Sequence, residues 1–395
     1  MQQLKQANRC LTRLFKRRHL NLLEIISDNE PLEEETLHRW TSSRFYPVEI
    51  GEKLCDRYLV LGKLGFGGNS TIWLCKDVHP WPKKYVVVKV CTANSRQGAQ
   101  EVKMYKHMQA IDTAHPGQQR IRRLDDGFQV LFEDRYYYCL VHKPLAMSLR
   151  ELRTRYADAC LPLGVVKFVV QHVLLGLDFL HANAGVVHTD LQDGNIMFPL
   201  HSDSRALKHF ERDEKRHPSA RKYILNTIIY RSRKLMQEDG FPLPSPPVIT
   251  DFGQARRGEA EYTDYYVQPS AFQAPEVLME IPWSDSIDIW NLGGLIYYLL
   301  FNKFLFSGGL QSVISVLGPP PMDLLWKSGI PDLAADGSWM MRVKAKGLRE
   351  RLRPCMDDGK DKEELIRFLG RMLTWRAGDR ATAGELLRDR WFSSV

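Results

Sequence analysis

The chain has 395 residues, of which 44% are hydrophobic, and a formal net charge of +8. This composition is ample for a packed core in one large domain or two smaller ones. Seven scattered cysteines, odd in number and without a CxxC pair, argue against a disulfide framework or a metal knuckle and indicate a reducing compartment. The longest strongly apolar run, 289–301, is far shorter than a bilayer span, so we expect no membrane association.

The positive charge is concentrated at the N-terminus. Residues 1–23 contain six Lys or Arg and no acidic residue, with leucines interspersed, and the acidic stretch 29–35 then reads as a linker. A mitochondrial transit peptide and a basic arm before the folded domain both fit this pattern. A basic chain can bind nucleic acid, but no basic-aromatic motif is present, so we expect no direct nucleic-acid partner.

Strands are predicted for most of residues 58–142. The runs 58–65 and 70–77 alternate apolar and polar residues around a glycine-rich turn, which predicts a hairpin. A β-branched run at 85–91 predicts a buried strand, and 96–110 predicts a helix. Two further strands are expected at 128–134 and 136–142. The first part of the chain is therefore predicted to be a small antiparallel sheet with one helix.

Helices are predicted to dominate after residue 143. The stretch 162–185 is apolar on most sides and predicts a buried helix, and 288–301 predicts another. Shorter amphipathic helices are expected at 364–375 and 382–392. The predicted layout is a small sheet-rich lobe and a large helical lobe, with the cleft between them as the expected ligand site.

The turn between the first two strands is rich in glycine. It consists of Gly65, Phe66, Gly67, Gly68, Asn69 and Ser70. Backbone N–H groups exposed by glycine can approach phosphate oxygens without interference from a Cβ atom. Because the turn lies between two strands rather than before a helix, it argues against a dinucleotide-binding fold.

Lys89 lies within the apolar run VVVKV and needs either a partner or an exit to water. Glu101, on the predicted helix, is the natural partner, and the two would hold the α- and β-phosphates of a nucleotide. The alternative is an edge-strand lysine that extends its ammonium outward.

The segment HTDLQDGN, residues 188–195, combines a carboxylate and an amide at a spacing suited to phosphoryl transfer. Asp190 is the candidate for orienting an attacking hydroxyl and accepting its proton. Asn195, together with Asp251 of the later segment TDFG, offers the hard oxygen ligands that Mg²⁺ prefers. Gln192 lies beside Asp190 and is a further catalytic candidate.

Three further features follow in order: Ala274-Pro275-Glu276, the run DIWNLG from Asp288, and Arg380, which is expected to pair with Glu276. Together these motifs resemble a eukaryotic-type protein kinase over roughly residues 45–394. The resemblance implies an α+β, bilobal protein-kinase fold. We expect an N-terminal arm and linker at 1–44, the N-lobe at 45–143, and the C-lobe at 144–395 with a spacer insertion at about 200–246.

A closer resemblance is to the serine/arginine-rich protein kinases (SR-protein kinases). It is carried by the run from Phe45 to Asp77, by Thr189 in the HTD triplet, and by the 55 residues between Asn195 and Asp251. The resemblance implies ATP and Mg²⁺ as cofactors, Ser/Thr specificity and Arg-Ser-rich protein substrates. It also implies nucleotide contacts from Leu64, Ile72, Val87, His142, Lys143 and Leu145, with Val87 narrowing the adenine slot.

Several residues depart from the common kinase pattern. Gln192 replaces a lysine beside the transferring phosphoryl group, and Gln273 replaces the arginine before Ala-Pro-Glu. A low-activity or pseudokinase ATP-binding scaffold is therefore the alternative to an active enzyme. Thr189 replaces the arginine that reads an activation-segment phosphate, which predicts activity without that phosphorylation. We expect a monomer in the cytoplasm or nucleus, with a mitochondrial location as the alternative.

Overall fold

The computed structural model describes residues 24–27, 29–38, 40–79, 84–200, 205–225, 227–235, 245–258, 260–328, 346–352, 355–356 and 358–393. The chain divides into two compact units. The first unit comprises 1–99, 124–144 and 200–240, and the second comprises 100–123, 145–199 and 241–395. The predictions made for residues 1–23 lie outside the described residues.

The strands run as follows: β1 (Lys53–Leu54), β2 (Tyr58–Gly67), β3 (Ser70–Asp77), β4 (Lys84–Cys91), β5 (Asp126–Phe132), β6 (Arg135–His142), β7 (Leu145–Ser148), β8 (Val186–Val187), β9 (Ile196–Pro199), β10 (Arg221–Ile224), β11 (Thr227–Tyr230), β12 (Val248–Ile249) and β13 (Arg256–Arg257). The first six form one antiparallel sheet with the order β1-β2-β3-β4-β6-β5. The predicted sheet is therefore confirmed.

The α-helices are α1 (Arg96–Ala110), α2 (Leu149–Arg153), α3 (Leu163–Asp178), α4 (Arg205–Arg216), α5 (Pro275–Leu278), α6 (Ser286–Phe301), α7 (Leu310–Leu317), α8 (Met322–Lys327), α9 (Leu348–Leu352), α10 (Lys360–Gly370) and α11 (Ala383–Leu387). Helix α1 has the predicted bounds. The predicted helix at 382–392 is instead α11 followed by a 3₁₀ turn, Arg390–Phe392.

Strand β4 shows how the sheet of the first unit is buried on both faces. Val86, Val88 and Val90 pack on one side with Trp73, Cys75 and Tyr137. The alternate residues of β4 point to the opposite face, where Val87 packs with Leu61 and Leu74. A strand buried on both faces reads as a continuous apolar run, which explains why the sequence signal at 85–91 was so clear.

The insertion does not group with the second unit, contrary to the expected boundary that placed the spacer in the C-lobe. Residues 200–240 belong to the first unit, where Leu207 and Phe210 of α4 pack with Leu61, Leu74 and Val87. Gly62 on β2 leaves room for this contact, because a Cβ atom there would come within 2.8 Å of the Phe210 ring. The apolar side of α4 therefore packs on the six-stranded sheet, and the helix belongs to the first unit.

The segment before the sheet joins this insertion. Ile26 and Leu32 pack with Ala220 and Ile229 in a cluster of their own, and Ile25 forms a β-bridge with Arg221. Lys63 of β2 is completely buried and its ammonium contacts Glu34 and, at 3.6 Å, Glu33. The segment expected to be an acidic linker therefore neutralises a buried lysine.

The core of the second unit contains α3, which continues into one π-helical stretch, Phe179–Ala184. By length and composition, one helical stretch of the described residues, Ala157–Ala184, is apolar enough to cross a membrane. The side chains of Val166, Val170 and Leu174 on it are fully buried in the protein, which is the pattern of a core helix. Helix α6, also predicted, is buried along most of its length.

Candidate active site

The glycine-rich turn is a tight hairpin with open backbone. Gly67 pairs with Ser70, so Gly68 and Asn69 form the turn. A Cβ atom at Gly65, Gly67 or Gly68 would meet nothing within 4 Å. The space beside these three glycines is therefore open, which an approaching phosphate would require, and binding of phosphate there stays a prediction.

The tip of this hairpin is tied down through Asn69. Its Oδ1 accepts from an Arg44 guanidinium nitrogen at 3.1 Å, and its Nδ2 donates to Gln97 Oε1 at 2.5 Å. The same Arg44 nitrogen donates to the carbonyl oxygen of Gly68 at 2.7 Å. The predicted nucleotide contact of Asn69 stays a prediction, and the structure shows that this side chain fixes the turn.

Lys89 lies on the face of β4 that also carries Val87. It pairs in register with Ile72 on β3 and Leu140 on β6, and it is half-buried. Val87 and His142 are paired neighbours and both are buried, with His142 fully excluded from solvent. Leu64 and Ile72 border the same apolar cluster. Leu64, Ile72, Val87, Lys89 and His142 thus share one face of the sheet, where the His142 ring is packed in the interior.

Three further predicted residues are located individually. Glu101 is buried on α1, Lys143 is exposed after β6, and Leu145 begins β7 and is half-buried. The pairing of Lys89 with Glu101 stays a prediction, as do the nucleotide contacts of Lys143 and Leu145.

The Asp190 carboxylate is hydrogen-bonded on both of its oxygens within the 188–195 loop. Its Oδ1 accepts from Gln192 Nε2 at 2.9 Å and its Oδ2 accepts from Asn195 Nδ2 at 3.0 Å. Burial raises the pKa of Asp190, and the charge of Asp251 adds to this, while the hydrogen bonds from Asn195 and Gln192 oppose the rise. A fixed carboxylate with a raised pKa is the arrangement expected of a general base.

Asn195 is hydrogen-bonded to Thr250, the residue that directly precedes Asp251. The carbonyl oxygen of Asn195 accepts from the N–H of Thr250 at 2.8 Å and from its hydroxyl at 3.0 Å. Because Asn195 Nδ2 points at Asp190, the Oδ1 atom is left as the oxygen donor for a cation. No group of three or more His, Cys, Asp or Glu in the described part of the chain could hold a metal. Two oxygen ligands from Asn195 and Asp251 would leave the other positions of a divalent cation to phosphate and water, an arrangement that fits Mg²⁺.

Asp288 holds the backbone of the 188–195 loop from beneath. Its two carboxylate oxygens accept from the main-chain N–H groups of His188 at 2.7 Å and Thr189 at 2.9 Å. His181, presented by the π-helical stretch, lies 3.0 Å from the same carboxylate. Thr189 has a φ of 66°, a left-handed conformation that these bonds sustain. Asp288 was recognised as a motif residue, but this function and that of His181 were not predicted.

The segment 251–276 is held by contacts within itself and to the 188–195 loop. Thr189 Oγ1 donates to the carbonyl of Gln254 at 2.9 Å, and the Thr189 carbonyl accepts from Gln268 N–H at 2.9 Å. The Arg256 guanidinium pairs with Asp264. One of the two arginines of this segment, Arg256, is thus engaged by a carboxylate of the chain itself.

Glu276 and Arg380 form the predicted pair. The guanidinium donates to both carboxylate oxygens at 2.6 and 2.7 Å, and both side chains are buried. The structure also reveals a residue that the motifs did not indicate. Arg150 on α2 donates to Gln192 Oε1 and to Asp193 Oδ1, each at 2.9 Å. The signal for Arg150 was absent from the sequence because 42 residues separate it from Gln192.

Comparisons with known proteins agree with this geometry. A family model described as "Protein kinase domain" matches residues 58–392. A serine/threonine protein kinase of Aspergillus fumigatus is 32% identical over 384 residues, covering 93% of this chain and 92% of the relative. The serine/threonine-protein kinase SRPK of Physarum polycephalum is 24% identical over 405 residues, covering 92% of each chain.

A solved kinase domain has a similar fold. It superimposes with a TM-score of 0.62 at 20% identity and covers 88% of this chain and 98% of its own. This likeness concerns the fold, and it agrees with the antiparallel sheet of the first unit and the helices of the second.

Proposed function

This chain belongs to the protein kinase family and is a serine/threonine protein kinase, and we propose that its substrates are Arg-Ser-rich proteins of the splicing-factor type. The observation that carries the activity is the Asp190 carboxylate, held on both oxygens by Gln192 and Asn195. The substrate class is supported by the SR-protein-kinase motifs and by the similarity to the SRPK of Physarum polycephalum over nearly the whole chain.

The reaction transfers the γ-phosphoryl group of ATP to a serine or threonine hydroxyl and releases ADP. Asp190 orients that hydroxyl and accepts its proton as the oxygen attacks phosphorus. Asn195 fixes the Asp190 carboxylate by donating to its Oδ2 atom. Asp288 fixes the backbone of the loop that carries Asp190. The open backbone at Gly65 to Gly68 binds phosphate oxygens.

We propose Mg²⁺ as the divalent cation of this enzyme. Asn195 Oδ1 and the Asp251 carboxylate would hold it, and when bound it would supply positive charge beside the phosphate oxygens. We also propose that the enzyme acts as a monomer in the cytoplasm or nucleus, without direct contact to nucleic acid.

An assay with matched peptides tests this function. The protein is incubated with Mg²⁺, labelled ATP and one of three peptides, an Arg-Ser repeat, a Lys-Ser repeat or an Arg-Ala repeat. We expect transfer to the Arg-Ser repeat, much less to the Lys-Ser repeat and none to the Arg-Ala repeat, with loss of transfer in Asp190→Asn. Equal transfer to both serine peptides would overturn the substrate class. Failure to label any of a broad peptide set, with ATP still bound, would indicate the pseudokinase.

A further inference from the structure

Arg150 donates hydrogen bonds to the middle of the 188–195 loop from both its main chain and its side chain. Its N–H donates to the Asp193 carbonyl at 3.0 Å, and its Nε donates to Asp193 Oδ1 at 2.9 Å. A second guanidinium nitrogen donates to Gln192 Oε1 at 2.9 Å. Helix α2 is itself fixed by a capping box between Ser148 and Glu151, so the arginine projects from an ordered turn.

The three residues between Leu191 and Asn195 each fit this arginine. Gln192 provides the oxygen that accepts from the guanidinium, and Asp193, which is buried, provides the opposing charge. Gly194 provides the space, because a Cβ atom there would be 3.3 Å from the guanidinium carbon of Arg150. A segment in which three consecutive residues accommodate one side chain indicates a specific arrangement around Arg150.

The contacts also determine how the Gln192 amide is oriented. Arginine can only donate, so the oxygen of the amide must face Arg150 and the nitrogen must face Asp190. The nitrogen donates to Asp190 Oδ1 at 2.9 Å. A continuous chain of hydrogen bonds therefore runs from a cationic side chain, through one amide, to the carboxylate that accepts the proton.

We propose that Arg150 is a positioning residue that supplies, through Gln192, the positive charge that the catalytic loop lacks at position 192. The guanidinium polarises the amide and keeps its N–H aimed at Asp190, so the loop retains a cation one side chain away from its usual position. The inference rests on the proposed function, since it concerns the phosphoryl-transfer step of that reaction.

A double-mutant cycle separates this role from a merely structural one. Arg150→Ala is expected to lower kcat about 10–100-fold, by analogy with other orienting partners, and to leave the KM for ATP nearly unchanged. Gln192→Ala removes the connection to Asp190 but keeps the Arg150–Asp193 pair. In that background, Arg150→Ala should have little further effect. If the two losses simply multiply, the proposal is overturned.

A rescue experiment gives an independent readout. In Arg150→Ala/Gln192→Lys the new ammonium supplies the charge directly, so kcat should recover to within a few-fold of the original enzyme. A double variant no faster than Arg150→Ala would contradict the proposal, because only an Arg150 of purely structural importance is indifferent to a cation at 192. Gln192→Lys alone should be slower than the double variant, since it opposes two positive charges.

Control variants distinguish an error in the role proposed for Arg150 from an error in the proposed kinase function. Arg376→Ala removes another half-exposed arginine paired with an aspartate, Asp323, and kcat should not change. Thermal unfolding checks that each variant folds, and Arg150→Gln replaces Arg150→Ala in the cycle if the alanine variant does not. An unmutated enzyme that phosphorylates no peptide refutes the proposed function. An active enzyme indifferent to Arg150→Ala and Arg150→Gln refutes only the role of Arg150.

Discussion

Arg380 and Glu276 form a bidentate ion pair with both side chains almost entirely out of solvent. The guanidinium also donates to the carbonyls of Thr374 and Ser286, so it ties together three separate stretches of the second unit. The pair links the start of α5 to the chain beyond α10, which are 104 residues apart.

Arg380→Ala should therefore destabilise the protein strongly. It leaves the Glu276 carboxylate buried without its cation, which typically costs about 3–5 kcal/mol of unfolding free energy. Urea denaturation followed by circular dichroism measures the change. The double variant Arg380→Met/Glu276→Leu should lose much less, because no isolated charge stays buried. Equal losses in the two variants would show that the ion pair is not the cause.

The His181–Asp288 pair should make stability depend on pH. Burial lowers the pKa of His181, but the hydrogen bond to Asp288 and its charge outweigh burial, so the pKa is raised. Burial raises the pKa of Asp288, but the hydrogen bond with His181 and its charge reverse this, so the pKa is lowered. Both shifts favour the charged pair in the folded state.

A group with a raised folded-state pKa stabilises fully below its unfolded pKa, about 6.5 for histidine, and loses that stabilisation as the pH rises through the folded-state pKa. His181→Gln should therefore lower the unfolding free energy, and the loss should be larger at pH 6 than at pH 9. Urea midpoints at the two pH values measure this. A pH-independent difference would argue that His181 acts by packing alone.

Phosphorylation of the 251–276 segment should not be needed for activity. Arg256 already pairs with Asp264, and Thr189 bonds to the Gln254 carbonyl in place of an arginine. A combined variant with Thr263→Ala and with Tyr262, Tyr265 and Tyr266 changed to Phe should keep its kcat. Phenylalanine is required at 262, because this buried ring stacks on Trp283 at 4.7 Å. Abolished transfer with intact ATP binding would contradict this expectation.

Asn69→Ala should weaken ATP binding without slowing phosphoryl transfer much. It removes the exposed bonds to Arg44 and Gln97 that hold the glycine-rich turn. Each such bond contributes about 0.5–1.5 kcal/mol, so the KM for ATP should rise roughly threefold to tenfold. Gln97→Ala removes only the bond from Asn69 Nδ2 and keeps the one from Arg44, so it should give a smaller increase. Steady-state kinetics at saturating peptide distinguishes the two. An unchanged KM in both would mean that the turn is held by its backbone.

The sequence predicted those features whose signal is local or recurs as a motif. Helix α1 and the strands of the large sheet follow from periodicity, and Asp190, Asn195 and Asp251 from their spacing. The pairing of Arg380 with Glu276 is confirmed, since a motif fixed both positions, while the catalytic and metal-binding roles of Asp190, Asn195 and Asp251 stay predictions. In each case the residues that specify the feature are themselves adjacent or are part of one ordered series.

The remaining features depend on contacts between stretches that are distant in sequence, and hydrophobic periodicity carries no information about such contacts. Nothing around residue 205 indicates that α4 will lie on β2, because its partners Leu61 and Leu74 are more than a hundred residues away. Arg150 reads as one charged residue on a short helix until α2 meets the catalytic loop. His181 required the π-helical stretch, whose extra residue per turn alters which side chain faces Asp288.

The buried ammonium of Lys63 has a consequence for where this protein can be cut. The match to the protein-kinase family model starts at residue 58, yet the carboxylates that neutralise Lys63 belong to Glu33 and Glu34, more than twenty residues earlier. A recombinant fragment beginning at Tyr58 would retain the predicted catalytic residues but would leave the Lys63 ammonium without either of these carboxylates, directly before the glycine-rich turn. The shortest fragment that folds as an active enzyme should therefore be longer than the matched domain, 58–392, and should include the acidic stretch 29–35.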